Sequence, residues 1–412
     1  MALPLPNVLF LLVDCLRGDA VGRRGHRPRV PWLSRLAREG LHCTQMISAA
    51  TTTTPCVASI LTGHYSPRHG IRSLRGFRLR PGLATLPGTL AAAGYHTRAE
   101  VTGPLLASVG LERDFHTYRY REQDAYLDGP WGADLARLLA PGGMPEPWFL
   151  FVHLWELHVP RRVRPGFEHR RYGRNPYEQA LSALDARLEP LLAPLAGRAM
   201  IAVHGDHGEQ LPVPRLVRRF YRWQRNRLGR AYPPWPSFPL REGHGFDVWE
   251  PLVRVPFVAH LPGRVPAQRV ERLTRQIDVM PTLLDVLGLP LADGVEGRSV
   301  LDAAPTPLDA YVEACGESIV DPRDWRRGIR TDHWKYIQVV GGGQPEQLYD
   351  VRRDPRERRN LATARPDVVA ALRSRLAVRL AAAAAEDDGS TRLSADEDAL
   401  VEAKLRDLGY IE

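Results

Sequence analysis

The run NVLFLLVD at residues 7–14 constrains this chain more than any other stretch. Its interior carries no polar residue, so a strand built from it has apolar side chains on both faces and must be covered on both. That is the pattern of a parallel strand inside an α/β sheet. The run ends on Asp14, and the carboxyl ends of parallel strands open onto the crevice where such sheets bind ligands. A carboxylate there is placed for chemistry more than for packing.

More segments repeat the pattern. PWFLFVHLWELH and RAMIAVHGDHGE each leave a strand-like run on acidic or imidazole side chains, and VPFVAHLPG is a further strand-like run. Between them VPWLSRLAREG, LPGTLAAAGY, YEQALSALDARLEPLLAPLAG and IDVMPTLLDVLG have helical periodicity, with Gly94 as a C-terminal stop. Alternating strands and helices, with acids and histidines gathering at strand ends, predict an α/β sandwich with one active edge. Near residue 303 the texture changes. AYVEA, RRGIRTDHWKYIQVV and EQLYDV read as antiparallel strands, RPDVVAALRSRLAVRLAAAAAEDD as a helix, and SADEDALVEAKLRDLG as a last helix with a capping-box start. The expected division is 1–303 and 304–412.

HGDHGE, His204 to Glu209, is the strongest local signal. Asp206 and His207 at a strand end put a hard oxygen and an imidazole nitrogen on one turn, as a divalent cation requires of neighbouring ligands. Four cysteines without regular spacing (Cys15, Cys43, Cys56, Cys315) argue against a disulfide framework or a structural zinc site. The first residues lack a basic leader, and their apolar run is short and ends on an acid, so a buried strand, not a signal peptide or a transmembrane anchor, is expected, in a cytoplasmic protein. The net charge of +9 is carried mostly by arginine, which suits phosphate, sulfate or carboxylate groups.

Taken in order, NVLFLLVDCLRGD, LTGHYSPRHGI, LPGTLAAAGYHT, FLFVHLWELHVP, VHGDHGE and VRVPFVAHLPG resemble successive segments of the sulfatase-type branch of the alkaline phosphatase superfamily. IRTDHWKYI, LYDVRRDPRERRNLA and LRDLGYIE resemble its C-terminal part. The resemblance implies an alkaline-phosphatase-like three-layer sandwich with a mostly parallel central sheet, plus a smaller C-terminal α+β subdomain. It also implies a hydrolase acting on ester bonds, with a small anionic ester as substrate.

In that family the nucleophile is a Cys or Ser in C-x-P-x-R, converted to formylglycine, ahead of a Leu-Thr-Gly turn. Counting back from Thr62 and Gly63 puts Thr53 at the nucleophile, Pro55 at the proline and Val57 where the arginine belongs. Thr53 is preferred to Cys56, whose CVASI lacks an arginine at Ile60, and to Thr52; Cys56 then reads as a small buried residue. A threonine ester has no aldehyde exit and must be cleared by water or another acceptor at the central atom, which tilts the expectation toward phosphate or phosphonate esters. Sulfuric ester hydrolysis is the alternative, and a catalytically inactive binding protein on the same fold is another.

By the same resemblance Asp14, Asp206, His207 and the Thr53 oxygen form one metal site for a single divalent ion. The imidazole favours manganese or zinc over calcium or magnesium. Cys15 stands where a second Asp is usual, and strand-end packing is preferred over a ligand role. His158 and His244 occupy positions near the leaving group, while His153 is expected to pack within its strand. EVTGP lacks the lysine that relatives often carry there.

Replacement cations lie in the insertion 213–241, where Leu216, Phe220 and Trp223 recur at helical spacing among arginines. Arg218 and Arg222 are the expected substrate contacts of a lid. No nucleic-acid module surrounds these arginines, so no nucleic acid is expected as partner; a homo-oligomer is left open.

Overall fold

The computed structural model describes residues 4–21, 28–213, 216, 219, 220, 223, 242–302, 308–316, 319, 321–385 and 389–411. The expected division at 303–304 and the expected contacts Arg218 and Arg222 lie outside the described residues.

The large sheet holds β1 (Asn7–Val13), β2 (Leu41–Ile47), β3 (His96–Val101), β4 (Thr117–Tyr120), β5 (Trp148–Leu154), β6 (Ala199–Gly205), β7 (Arg254–His260), β8 (Gln268–Val270) and β9 (Thr274–Arg275). Their order is β4-β3-β5-β1-β6-β7-β2-β8, with β9 beside β2. β1 lies parallel between β5 and β6, and β3 is parallel to both β4 and β5. β7 runs antiparallel to its neighbours β6 and β2. The sheet is therefore mostly parallel, as expected.

β1 shows why the sandwich has three layers. Val8, Phe10 and Leu12 enter one apolar cluster with Val57, Ile60, Leu61, Leu86, Leu90 and Leu283 from the helices Thr53–Thr62, Leu86–Ala92 and Val279–Leu287. Leu9, Leu11 and Val13 enter the opposite cluster with Trp32, Leu36, Leu135, Leu181 and Leu188 from Pro31–Glu39, Pro130–Leu139 and Pro176–Leu192. Alternate side chains of a strand point to opposite faces, so an unbroken apolar run feeds two cores at once. Burying each Leu or Phe contributes about 1.5–3 kcal/mol.

A second, antiparallel sheet is formed by β10 (Ala310–Ala314), β11 (Arg326–Arg330), β12 (Trp334–Val339) and β13 (Gln347–Asp350). The helix Pro366–Ala384 packs on it through Val369, Leu372 and Leu376. The last helix, Ala395–Asp407, starts at the capping box of Ser394 and Glu397 and buries Val401 and Leu405 in the larger core. No helix among the described residues is long and apolar enough to cross a membrane.

Candidate active site

The carboxyl ends of four strands converge at one edge of the large sheet. Asp14 follows β1, His153 lies in β5 directly across from Leu12, Asp206 and His207 follow β6, and the helix opened by Thr53 follows β2. All five side chains are buried. The sequence-expected set Asp14, Thr53, Asp206 and His207 is thus brought together: Thr53 Oγ1 lies 3.2 Å from Asp14 Oδ2 and 3.4 Å from His207 Nε2. Ligand atoms of Asp14, Asp206 and His207 lie within 4.8 Å of one another.

The protonation pattern follows from backbone contacts. His207 Nδ1 lies 2.9 Å from Gly208 O, and a carbonyl can only accept, so the ring hydrogen sits on Nδ1 and the Nε2 lone pair faces the site. Asp206 Oδ1 accepts from the amides of His207 and Cys15 at 2.7 and 3.1 Å, while its buried Oδ2, 3.3 Å from His207 Nε2, has no hydrogen-bond donor among the described residues. Two carboxylates and an imidazole lone pair converging with an unpartnered oxygen fit a divalent cation of mixed oxygen and nitrogen preference. Burial and the neighbouring Asp14 push Asp206 above the usual carboxylate range. Burial also opposes ionisation of Asp14, but the hydrogen bond of His153 and the charges of His158 and His207 outweigh it and hold that carboxyl well below its usual value.

Thr53 begins a ten-residue helix whose N-cap, Thr52, makes no side-chain capping bond. The unpaired amides of a helix's first turn and its dipole favour an anion at this end. Cys56, three residues on, is turned away: its Sγ donates to Ala50 O at 3.2 Å, and burial raises the thiol well above its ordinary value. Of the two side chains weighed at the nucleophile position, Thr53 faces the Asp14 and His207 cluster and Cys56 faces the backbone.

Two expectations are corrected. His153 does not simply pack within β5, because its Nε2 faces Asp14 Oδ2 at 3.3 Å while its Nδ1 bonds Thr102 O at 3.2 Å. Nor does Cys15 merely pack at a strand end. It is held at φ 60, a region most non-glycine residues avoid, by its amide to Asp206 and by its carbonyl, which accepts from Tyr177 at 2.9 Å. That conformation aims Sγ into the site, 2.8 Å from Asp14 Oδ1 and 3.6 Å from His244 Nδ1. Burial and the surrounding acids raise the thiol well above its ordinary value, and its Sγ lies within 4.8 Å of ligand atoms of His207 and His244.

His158 and His244 stand side by side, rings 5.2 Å apart, and His244 also lies 4.3 Å from the ring of His207. His158 stacks on Trp155 at 3.9 Å, and burial lowers its pKa to about 4. Three residues around this pair were given no role from the sequence. Glu209 Oε2 lies 3.5 Å from His244 Nδ1, Arg161 lies 2.9 Å from the same Glu209 oxygen, and the Tyr410 hydroxyl meets His158 Nε2 at 2.8 Å and His244 Nε2 at 3.2 Å. Burial opposes ionisation of Glu209, yet His244 and Arg161 lower its pKa to about 2. Glu209 closes the HGDHGE segment and could have been flagged with it; Tyr410 lies in the LRDLGYIE segment that resembles the family, with no role read for it, and Arg161 carried no local signal.

The chain matches the family model described as Sulfatase over residues 6–289, more than half its length, and the model N-sulphoglucosamine sulphohydrolase, C-terminal, over residues 245–385. The ulvan-active sulfatase of Formosa agariphila is 23% identical over 406 residues, covering 86% of this chain and 77% of that protein. The fold is similar to that of a 2-O GAG sulfatase, with a TM-score of 0.68 and 18% identity over 96% of each chain. It is also similar to the phosphonate monoester hydrolase of Agrobacterium radiobacter, with a TM-score of 0.68 and 18% identity over 92% of this chain and 95% of that one. With the fold, the converging strand ends and these matches together, the chain belongs to the sulfatase family of ester hydrolases, within the alkaline phosphatase superfamily.

Proposed function

We propose that this hydrolase cleaves phosphate or phosphonate esters through a covalent ester on Thr53, using one divalent ion, with manganese or zinc favoured. The observation that carries the reading is the position of Thr53 Oγ1 between Asp14 and His207, with Cys56 Sγ turned to the backbone.

Asp14, Asp206, His207 and Thr53 are the residues that would hold the ion. When bound, it supplies Lewis-acid charge that favours the ionised hydroxyl and the anionic transferred group. Thr53 Oγ1 donates its hydrogen toward Asp14 Oδ2 and attacks the central atom. The bond from oxygen to phosphorus forms as the bond to the leaving oxygen breaks, and that oxygen takes a proton from His244, with His158 beside it. Water then attacks phosphorus and returns the hydroxyl of Thr53. The start of the helix Thr53–Thr62 stabilises negative charge on the transferred group.

Sulfuric ester hydrolysis is the second reading, favoured by the family match and by the sulfatases among the relatives. Turnover of an aryl phosphodiester, a phosphonate monoester and an aryl sulfate with added manganese separates the two readings. Thr53→Ala is expected to lower activity on the preferred ester by roughly a thousandfold or more; a variant as active as the wild type refutes the assignment.

A further inference from the structure

The geometry points to Tyr410 as a positioning residue for the leaving-group side of the reaction: its hydroxyl bridges His158 and His244 and fixes the orientation of both rings. This rests on the hydrolase reading above.

His158 gives its Nδ1 hydrogen to Val159 O at 2.7 Å, so its Nε2 can only accept, and the Tyr410 hydroxyl is the donor at 2.8 Å. With that hydrogen committed, the phenol oxygen accepts, and His244 Nε2 lies 3.2 Å away to donate to it. The other nitrogen of His244 faces Glu209 Oε2 at 3.5 Å, and Arg161 holds that same oxygen at 2.9 Å. A polar row therefore runs from Arg161 through Glu209, His244, Tyr410 and His158 to a backbone carbonyl. A histidine can give a proton to a departing oxygen only when its ring carries that proton on the right nitrogen and points the right way. Tyr410 sets the orientation of both rings at once.

The chain delivers this tyrosine deliberately. The helix Ala395–Asp407 is fixed by buried Val401 and Leu405, by Arg75 on Asp398 and Glu402, and by Lys404 on Glu122. Gly409, at φ 77, then turns the backbone so that Tyr410 N bonds Leu405 O at 2.9 Å. A left-handed residue after a helix is strained for anything but glycine, and it sends the next side chain back toward the body of the protein.

Tyr410→Phe keeps the ring and removes the hydroxyl. On an alkyl ester, whose leaving oxygen needs a proton, kcat is expected to fall roughly tenfold or more with KM little changed. On the 4-nitrophenyl ester of the same acid, which leaves without help, the loss should be several times smaller. Equal losses on both esters, or none, overturn the proposal. Nitrogen-15 spectra provide a readout independent of turnover: the ring nitrogens of both His158 and His244 should shift in Tyr410→Phe, and unchanged shifts overturn the proposal as well. Should Thr53→Ala retain full activity, the nucleophile reading fails while these spectra still decide the role of Tyr410.

Discussion

His153 Nε2 stands 3.3 Å from Asp14 Oδ2 across the adjacent parallel strands β5 and β1. Its Nδ1 is tied to Thr102 O, so the ring is oriented from behind and supports the carboxylate from a fixed direction. Partners of this kind steer ligands without binding the ion themselves. His153→Ala is therefore expected to weaken activation by manganese roughly 10- to 100-fold in the metal titration. An unchanged half-saturating concentration would show that Asp14 needs no such support.

Cys56 offers a sharp contrast with Thr53. Its thiol is buried and bonded to Ala50 O, away from the reacting groups, so Cys56→Ala should leave kcat/KM within about twofold. Intact-mass spectrometry of the wild type should show no loss corresponding to conversion of the thiol to an aldehyde. A formylglycine at this position would favour the sulfuric ester reading.

Lys335 is fully buried between two carboxylates, 3.2 Å from Glu250 Oε1 and 2.5 Å from Glu357 Oε1, and donates to Val248 O at 2.9 Å. Removing one partner of such a group leaves the others desolvated and uncompensated. Lys335→Met should cost about 3–5 kcal/mol in urea unfolding. Adding Glu357→Gln should recover part of that loss, because burial and Glu250 already raise Glu357 to about 7.

His69 makes stability depend on acid. Its Nδ1 accepts from the amide of Ile71 at 3.2 Å and its Nε2 hydrogen meets Ser59 Oγ at 3.0 Å, so the fold holds the neutral ring. Burial lowers its pKa from 6.5 to about 3. The unfolded chain therefore takes up the proton first: the contribution of this ring is present above pH 6.5 and is lost as pH falls toward 3. Within that window the slope from one proton is about 1.4 kcal/mol per pH unit. Urea midpoints measured against pH should be less steep for His69→Gln; an identical slope would mean that the ring is already charged in the fold.

Much of the scaffold was legible because periodicity is a local property. NVLFLLV could only be a strand covered on both faces, and Ser394 with Glu397 marked the last helix at its start. The site was legible only where chemistry sat on a strand end, as for Asp14, Asp206 and His207, or at a counted distance from Thr62 and Gly63, as for Thr53. His153 looked like core because alternation along β5 says which face a side chain takes, not what awaits it there.

The sequence by itself determined the layers, the carboxylates at the sheet edge and the threonine hydroxyl beside them, since each depends on residue type and short-range order. Tertiary structure alone decided that Cys15 turns inward, that Arg161 and Glu209 brace His244, and that Tyr410 reaches back to His158 over 252 residues of chain. Those partners are joined by packing between distant segments, whose meeting is set by the burial of two whole cores and leaves no periodic trace near any one of them.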